Sequence, residues 1–370
     1  MLDQLIAPDI KALIEEGKFE EIANFIEDRH PAEAAEILTA LPEEDVNLVL
    51  EKLPLQTAAD IFCELPSSLQ SHIAAKLNKN DLAKLVINLS PDDRVDLLKS
   101  LPEEQFDSVL PVLAKRERED IKKLASYKEG TAGSIMTTDY IALPADMTVR
   151  EALDKIRLEG PAKESIYTIF VLDEGRHLVG SVGLADLILA HPSKKLRDIM
   201  DDQVIAVQAE ADQEEATYKF SRYDLVALPV VDAQGNLVGI ITHDDALDVI
   251  EQERTEDMER FMAISGKHED TGYLQTSIWT HFSHRVVWLV ILAVLGLVSG
   301  AILQSFQETL MNLMILAFYM PMLADTGGNT GSQSATVVVR ALVASPALTT
   351  IVDISGLFIY FSTARPILGI

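Results

Sequence analysis

The feature that most constrains this chain is a polar run inside an uncharged stretch near its end. Residues 309–324 and 326–339 carry no charged side chain, and Asp325 alone separates the two runs. A membrane-spanning helix needs about 20 apolar residues, and a bilayer leaves no backbone group unpaired. Polar groups at that depth are therefore expected to face protein or a watery path. The pattern predicts membrane-spanning helices with an ion-binding lining.

The polar residues of this run supply oxygen atoms that can replace part of an ion's hydration shell. Close packing of helices is the alternative, because it also favours glycine, serine and threonine. Packing accounts for Gly327 and Gly331, but not for the carboxylate of Asp325 or the amide of Asn329. A permeation role is therefore the preferred interpretation. The candidate pore-lining residues are Pro321, Asp325, Gly328, Asn329 and Gln333.

Negative charge dominates the residues before about position 284. The whole chain has 58 acidic and 31 basic side chains, a formal net charge of −27. This excess argues against nucleic acid or an anionic membrane surface as a partner and favours cations, although an acidic surface also serves solubility. The single cysteine, Cys63, excludes an intramolecular disulfide framework and a cysteine-rich zinc site.

Two further sequence observations narrow the class of protein. Residues 1–18 are amphipathic and of mixed charge, so no cleavable signal peptide is expected and the soluble part is expected in the cytosol. The sequence has no phosphate-binding P-loop, no metal-hydrolase motif and no paired nucleophile and base. We therefore expect that the protein is not an enzyme.

A leucine recurs every twelve residues between positions 41 and 101. The accompanying prolines predict a unit made of a turn, a proline near the helix start and an eight-residue amphipathic helix, such as residues 92–99. Helices this short are marginal alone, so we expect them to stack into an all-α superhelical solenoid. The leucines are Leu41, Leu53, Leu65, Leu77, Leu89 and Leu101, and the prolines are Pro42, Pro54, Pro66, Pro91 and Pro102.

From residue 132 the pattern changes to strands that alternate with helices, and it occurs twice. Residues 169–180 parallel residues 228–239, each with a strand, a turn that contains aspartate and a second strand before a helix. Isoleucine–methionine pairs at 135–136 and 199–200 begin the two copies. This arrangement resembles a tandem pair of CBS (cystathionine β-synthase) domains, which are small α/β regulatory modules.

The resemblance to CBS domains implies a nucleotide site. In that family a Ser/Thr-x-x-Asp sequence after the last strand often holds a ribose. Thr242 and Asp245 match this motif, so a nucleotide such as ATP is one expectation for the second copy. Asp186 has Gly183 in place of the hydroxyl residue, which argues against a nucleotide site in the first copy.

A long acidic helix is expected to leave the second copy. Glu253, Glu256 and Asp257 are spaced three and four residues apart and share one helical face. Like charges at this spacing repel each other and destabilise the helix slightly. Such a face is either simply solvated or held together by divalent cations and released when they leave.

Three membrane spans are predicted after this helix. Aromatic and histidine side chains at 279–288 form an expected interfacial belt before the first span. Arg285 and Arg340 mark cytosolic ends, so the first helix is expected to run outward and the second to return inward. The spans are about 286–304, 309–342 and 344–364.

The order of these parts resembles the MgtE family of magnesium transporters and channels. That family has a helical N domain, a CBS pair, an acidic connecting (plug) helix and a membrane domain. Its second membrane helix carries Pro-x-x-x-x-Thr-Gly-Gly-Asn-x-Gly-x-Gln, which matches this chain from Pro321 to Gln333. The boundaries that the resemblance implies are 1–131 for the N domain, 132–195 and 196–253 for the CBS domains, 254–284 for the connecting helix and interfacial segment, and 285–370 for the transmembrane domain.

The resemblance also implies that two membrane helices are absent from the middle of the membrane domain. The family has five such helices, and residues 345–357 resemble the fifth, whose aspartate coordinates hydrated magnesium in the pore. Asp353 matches that aspartate, and Thr349 lies one turn before it. The chain then passes from its second helix directly into the fifth. We expect such a shortened form to transport poorly or not at all.

Magnesium transport through a dimeric pore is the function that the resemblance implies, with gating by cytosolic magnesium. Mg²⁺ keeps several of its waters, so a site with one or two carboxylates suits it. The implied partners are Mg²⁺ or other divalent cations, the lipid bilayer and a second copy of the chain. The implied location is the plasma or inner membrane, with the N-terminal domains in the cytoplasm. The implied magnesium ligands are Asp353, Thr349, Asp60, Asp92, Asp96, Asp212, Glu214, Asp245, Asp248, Glu253, Glu256 and Asp257.

Two rival functions follow from the same residues. One is a non-conducting magnesium sensor, in which the cytosolic half is intact and the pore is lost with the absent helices. The other is an adenine-nucleotide sensor tethered to the membrane, which uses Thr242 and Asp245.

Overall fold

A computed structural model of the protein describes residues 2–261, 277–312 and 314–339. The chain divides into two compact units, residues 1–250 and 251–370. The predicted third span, at 344–364, lies outside the described residues.

Ten α-helices build the N-terminal part of the first unit. Each packs against a helix two places further along the chain over most of this region, which confirms the predicted all-α stack. The helices are α1 (Leu2–Glu15), α2 (Phe19–Glu27), α3 (Pro31–Thr39), α4 (Glu43–Leu50), α5 (Leu55–Cys63), α6 (Ser67–Lys76), α7 (Lys79–Asn88), α8 (Pro91–Ser100), α9 (Glu103–Val109) and α10 (Lys115–Ala125).

Proline and short polar side chains set where the repeated helices begin. Pro54 and Pro66 occupy the N-cap positions of α5 and α6, as the sequence predicts. In α8 the cap is Ser90, whose hydroxyl accepts a hydrogen bond from the backbone N–H of Asp93, and Pro91 is the first helical residue. The helix α8 therefore has ten residues rather than the eight predicted. Across the repeat the lengths run from seven to ten residues.

The repeated leucines form the seam of this stack. Leu41, Leu53, Leu65, Leu89 and Leu101 are buried, and the remaining one packs against the same core. Burial of one leucine side chain contributes about 1.5–3 kcal/mol, which these short helices need because they are marginal alone. The same core continues into the second α/β copy of the unit.

Two three-stranded sheets follow, one in each copy. In both, a short strand pairs in parallel with the first strand of a β-hairpin, whose two strands are antiparallel. The first sheet has β1 (Ala142–Pro144), β2 (Thr168–Leu172) and β3 (Leu178–Gly183), and the second has β4 (Val207–Gln208), β5 (Ala227–Val231) and β6 (Leu237–Thr242). The helices of the two copies are α11 (Val149–Glu159), α12 (Leu184–Leu189), α13 (Gln213–Arg222) and α14 (His243–Phe261).

The two copies exchange the segments that begin them. Met136, at the start of the first copy, packs over Gly239 in β6, where an added Cβ would lie 2.5 Å from the methionine sulfur. Met200, at the start of the second copy, packs over Gly180 in β3 with the same separation. The hairpins are therefore related by a pseudo-twofold arrangement. Gly183 and Asp186 of the first copy correspond to Thr242 and Asp245 of the second.

The second unit contains the apolar helices. In the described part of the chain, one helix is long and apolar enough to cross a membrane, namely α15 (Ile278–Ser305). It includes both the predicted span at 286–304 and the interfacial residues before it. The helices α16 (Gln307–Asn312) and α17 (Ile315–Val339) follow.

The predicted second span, 309–342, differs from the structure. The helix α16 ends at Asn312 and a turn at Met314 precedes α17, so the uncharged stretch is not one helix. Asparagine is a weak helix former that is tolerated where helices end, which explains the position of the break. Conversely, α17 runs without interruption through Pro321 and the glycines, although these residues are poor helix formers.

Candidate functional site

Asp92 is a buried carboxylate in the first turn of α8. Its side chain is 9% exposed, and its Oδ1 atom has no hydrogen-bond partner among the described residues. Burial raises the pKa of Asp92 to about 7, and the adjacent charge of Asp93 adds to the shift. A buried oxygen without a partner is costly unless a ligand or water meets it.

Asp245 brings a second carboxylate to the same region from the first turn of α14. Thr242, at the end of β6, is buried and donates its hydroxyl hydrogen bond to Asp245. Burial raises the pKa of Asp245 to about 8, and the charge of Asp92 is the next cause. The two carboxylates, from the helical stack and from the second α/β copy, therefore repel each other across the contact between these parts.

The neighbouring arginine does not relieve this repulsion through an ion pair. Arg94 is buried, and its guanidinium donates hydrogen bonds of 2.7 Å to the carbonyl of Val86, 3.2 Å to that of Ile87 and 2.8 Å to that of Leu89. These carbonyls lie at the C-terminal end of α7, where backbone acceptors lack helical partners. Arg94 therefore fixes α7 against α8 and sets the position from which Asp92 extends.

Asp60 lies on α5 near this cluster. Its Oδ1 atom accepts a hydrogen bond of 2.8 Å from Gln56. The thiol of Cys63, on the same helix, has its pKa raised by burial and then by Asp93, Asp60 and Asp92. The thiol thus marks a place where α5 and α8 bring carboxylates together. Asp93 belongs to this cluster but is not among the predicted ligands, although its position beside Asp92 was an available signal.

Three other predicted ligands lie outside the buried pair, although Asp96 is close enough for its charge to contribute to the raised pKa of Asp92. Asp212 is the N-cap of α13, and its Oδ1 atom accepts a hydrogen bond of 2.9 Å from the backbone N–H of Glu214. Asp96 and Asp248 are exposed, on α8 and α14 respectively. The capping role is a sufficient structural reason for Asp212.

The acidic face predicted for the connecting helix lies on the later turns of α14. Glu253, Glu256 and Asp257 belong to one continuous helix and share a face, as their spacing predicts. These three residues belong to the second unit, whereas Asp92 and Asp245 belong to the first.

The carboxylates of the described residues do not form a closed cage for an ion. Within residues 2–261, 277–312 and 314–339, no three His, Cys, Asp or Glu side chains converge closely enough to ligate one metal. The pairing of Asp92 with Asp245 is instead an open arrangement of two carboxylates. It fits a cation that keeps several waters and uses one or two carboxylates, which is the behaviour of Mg²⁺.

The predicted pore-lining residues share one face of α17. Pro321, Asp325, Gly328, Asn329 and Gln333 recur at the three- and four-residue spacing that places helical residues on one side. The side-chain amide of Asn329 donates a hydrogen bond of 3.3 Å to the Oδ2 atom of Asp325. The predicted pore ligands Asp353 and Thr349 lie outside the described residues.

A cleft of about 450 Å³ lies between the two α/β copies. It is on the side of Asp186, the first-copy counterpart of Asp245. Its volume is within the range of about 300–1,000 Å³ that small-molecule sites occupy. The nucleotide site predicted from the sequence is at Thr242, and this cleft was not predicted. The cleft is lined by Thr168, Phe170, Ser181, Gly183, Asp186, Ile199, Asp201, Gln203, Val204, Ile205, Tyr223, Asp224, Leu225, Val226, Ala227 and Pro229.

Comparison with protein families matches most of the first unit. The model of the MgtE intracellular N domain matches residues 29–130. The CBS domain model matches residues 132–192 and 196–252. The predicted order of a helical N domain and a CBS pair is therefore confirmed.

Curated relatives and solved structures agree with these matches. The chain is 37% identical to the magnesium transporter MgtE of Thermus thermophilus over 92% of its own length and 76% of the relative. It is 35% identical to MgtE of Bacillus subtilis over 92% of its length and 74% of the relative.

Two solved structures resemble the first unit. A crystal structure of the soluble part of a magnesium transporter matches 68% of the chain and 99% of that structure, with 30% identity and a TM-score of 0.62. The cytosolic domain of the Mg²⁺ channel MgtE in complex with ATP matches 66% of the chain and 99% of that structure, with 35% identity and the same TM-score. The chain belongs to the MgtE family of magnesium transporters.

Proposed function

We propose that this protein moves Mg²⁺ across a membrane and that Mg²⁺ bound to its cytosolic part controls the movement. The observation that carries the proposal is the buried, unpartnered carboxylate oxygen of Asp92 beside Asp245, in a chain of this family. A cation bound between the two carboxylates would remove their repulsion and coordinate the unpartnered oxygen of Asp92.

The proposed control by cytosolic Mg²⁺ follows from the positions of these two carboxylates in different domains. Asp92 belongs to the helical N domain and Asp245 to the start of α14, which continues beyond the CBS pair. A cation that bridges them stabilises the docked arrangement of these parts. A ligand that binds one state better shifts the population toward that state, so high cytosolic Mg²⁺ would favour the closed form. The acidic face of α14 would contribute further weak sites within the second unit. Asp60, Asp96, Asp212, Glu214 and Asp248 would do so within the first.

The path for the ion is proposed along the polar face of α17. Asp325 and Asn329 supply a carboxylate and an amide on α17. At the depth of a bilayer such groups are costly unless they serve an ion or a protein partner. Asp353 and Thr349 would complete the path in a homodimer in the plasma or inner membrane. The membrane domain would consist of α15, α17 and the predicted span that carries Asp353 and Thr349.

Uptake of Mg²⁺ by cells that lack their own magnesium transporters tests this function. The full chain, at an expression level matched to that of the Thermus thermophilus relative, should restore growth at low Mg²⁺ more weakly than that relative does, because two of the family's five membrane helices are expected to be absent from it. Growth no better than that of the empty vector, from protein that reaches the membrane, would reject transport. It would leave the non-conducting magnesium sensor, which Mg²⁺-dependent protection from proteolysis then tests.

A second function is supported by the cleft between the CBS copies. Its volume, its apolar walls and its carboxylate at Asp186 suit a nucleoside, and the structurally similar MgtE cytosolic domain was solved with ATP. We propose that this cleft, rather than the pair of Thr242 and Asp245, is the nucleotide site. Titration of the full chain with adenine nucleotides tests it. Asp186→Asn should weaken binding, and Asp245→Asn should leave binding within about two-fold. The reverse pattern would return the site to the second copy.

A further inference from the structure

The charged side chains that line the cleft between the CBS copies are all negative. Three of its lining residues are carboxylates, at Asp186, Asp201 and Asp224, and none of the lining residues is lysine, arginine or histidine. A site that holds phosphate groups ordinarily supplies basic side chains or the N-terminus of a helix. The helix that begins beside Asp186, α12, has only six residues.

Two basic side chains of α13, which precedes the lining residue Tyr223, have partners outside the cleft lining. Lys219 donates a hydrogen bond of 3.0 Å to the carbonyl of Ala206 and forms an ion pair of 2.8 Å with Glu215. Arg222 donates a hydrogen bond to the hydroxyl of Tyr218, and its guanidinium lies 5.8 Å from the ring centre of Tyr223. Lys219 is therefore already paired with a carboxylate, Arg222 is held beside two tyrosines, and neither residue lines the cleft.

The remaining walls suit the uncharged part of a nucleoside. Phe170, Ile199 and Pro229 give apolar and aromatic surface against which a base can lie. Asp186 has no hydrogen bond or ion pair through its carboxylate within the described part of the chain, and its oxygens are free to accept hydrogen bonds from ribose hydroxyls. Gly183 leaves this carboxylate room, because an added Cβ there would lie 3.1 Å from the Oδ2 atom of Asp186.

We infer that the cleft selects a nucleoside that carries no uncompensated phosphate charge, because three carboxylates and no cation line it. Adenosine therefore binds more tightly than ATP alone, and ATP binds well only when a divalent cation neutralises its phosphates. The inference rests on the proposed nucleotide function of this cleft. It extends that function by stating which charge state of the ligand the cleft accepts.

Calorimetric titration of the full chain in detergent tests the inference, with adenosine and ATP as probes. In EDTA, adenosine should bind about ten-fold or more tightly than ATP, because the triphosphate meets three like charges. With Mg²⁺ in excess, the ratio of the two affinities should fall several-fold. Adenosine is measured in both conditions, so any effect of Mg²⁺ on the protein itself cancels in the ratio.

Two isosteric variants separate the charge of the cleft from its shape. Asp201→Asn and Asp224→Asn, combined, should raise the ratio of ATP affinity to adenosine affinity in EDTA several-fold. The Oδ1 atom of residue 201 keeps its hydrogen bond of 2.9 Å from the backbone of Gln203 in the amide form. Asp107→Asn, on an exposed position of α9, is the matched control and should change neither affinity.

The outcomes distinguish the inference from the function on which it rests. Equal or tighter binding of ATP than of adenosine in EDTA would overturn the charge selectivity and retain the nucleotide site. An unchanged ratio of affinities in the double variant would overturn it as well. Absence of binding by both probes would overturn the nucleotide function and the inference together.

Discussion

Thr242 donates a hydrogen bond to the carboxylate of Asp245, whereas Asp186, at the equivalent position of the first CBS copy, faces a cleft without such a donor. The cause is one residue, because Gly183 stands where Thr242 stands in the second copy. We propose that the two copies have different tasks. In this proposal Asp245 acts with Asp92 of the N domain, and Asp186 binds a small molecule.

Replacement of Gly183 by threonine should close the nucleoside cleft. The new hydroxyl would hydrogen-bond Asp186 as Thr242 bonds Asp245, and the added atoms would occupy the cleft. We expect adenosine affinity to fall at least about ten-fold, by loss of one charge-assisted hydrogen bond. Gly183→Ala adds the Cβ without the hydroxyl and should lose only a few-fold. Calorimetry measures both, and equal losses in the two variants would show that bulk alone is responsible.

The folding stability of the Mg²⁺-free protein should fall as the pH rises. Asp92 and Asp245 have pKa values of about 7 and about 8 in the folded protein, above the 3.8 of an unfolded aspartate. The folded state therefore binds these protons more tightly, and the stabilisation that they give is present in full below about pH 4. It is lost as the pH rises through 7 and 8.

Thermal unfolding of the full chain in EDTA, from about pH 4 to about pH 9, measures this effect, because that interval covers the unfolded and folded pKa values of both groups. Asp245→Asn should flatten the decline, because an amide does not ionise. Excess Mg²⁺ should flatten it in the wild type as well, since the cation stabilises both carboxylates in their charged form. A decline of equal slope in wild type and Asp245→Asn would contradict the assignment.

Arg94 should be essential for the stability of the N domain. Arg94→Met leaves three carbonyl groups at the end of α7 without their donor, and the expected cost is about 2–4 kcal/mol of the free energy of unfolding. Arg94→Lys retains the charge but not the fork geometry and should cost less. Urea denaturation compares the two variants. A methionine variant as stable as wild type would show that water satisfies these carbonyls.

Most of the fold of the first unit is predictable from the sequence, because the sequence patterns that indicate it are local. The twelve-residue spacing of Leu53 and Leu65 predicts the helical stack, and the repeated strand pattern predicts both hairpins. The short strands β1 and β4 were missed, since two or three residues carry no periodicity. The break before α17 was missed because Asn312 is a weak signal within an apolar run.

The candidate sites depend on contacts that no local pattern encodes. The family resemblance implies Asp92 and Asp245 as magnesium ligands but does not pair them. Their proximity, their burial and the unpartnered oxygen of Asp92 arise from packing between domains. The cleft at Asp186 was missed because the motif lacks its hydroxyl there. That same absence is what leaves the carboxylate open.

Substitution of Asp353 should abolish Mg²⁺-selective flux wherever the chain conducts. A carboxylate at bilayer depth is retained only for an ion or a partner. Flux of Mg²⁺ and of a competing divalent cation into proteoliposomes compares Asp353→Ala with Asp325→Ala. Wild-type selectivity in the first variant and loss in the second would move the selective site to α17, where Asn329 already bonds Asp325.

We propose that Mg²⁺ bound at Asp92 and Asp245 controls the passage of Mg²⁺ through the membrane domain. Flux through the full chain in proteoliposomes, with Mg²⁺ set separately on the side of the N domain, tests it most directly. Wild-type flux should fall as that concentration rises, and Asp92→Asn with Asp245→Asn should need at least about ten-fold more Mg²⁺ for the same fall, as expected for loss of two charged ligands. Asp107→Asn should behave as wild type. An unshifted response in the double variant, or no flux through the wild type, would contradict the account.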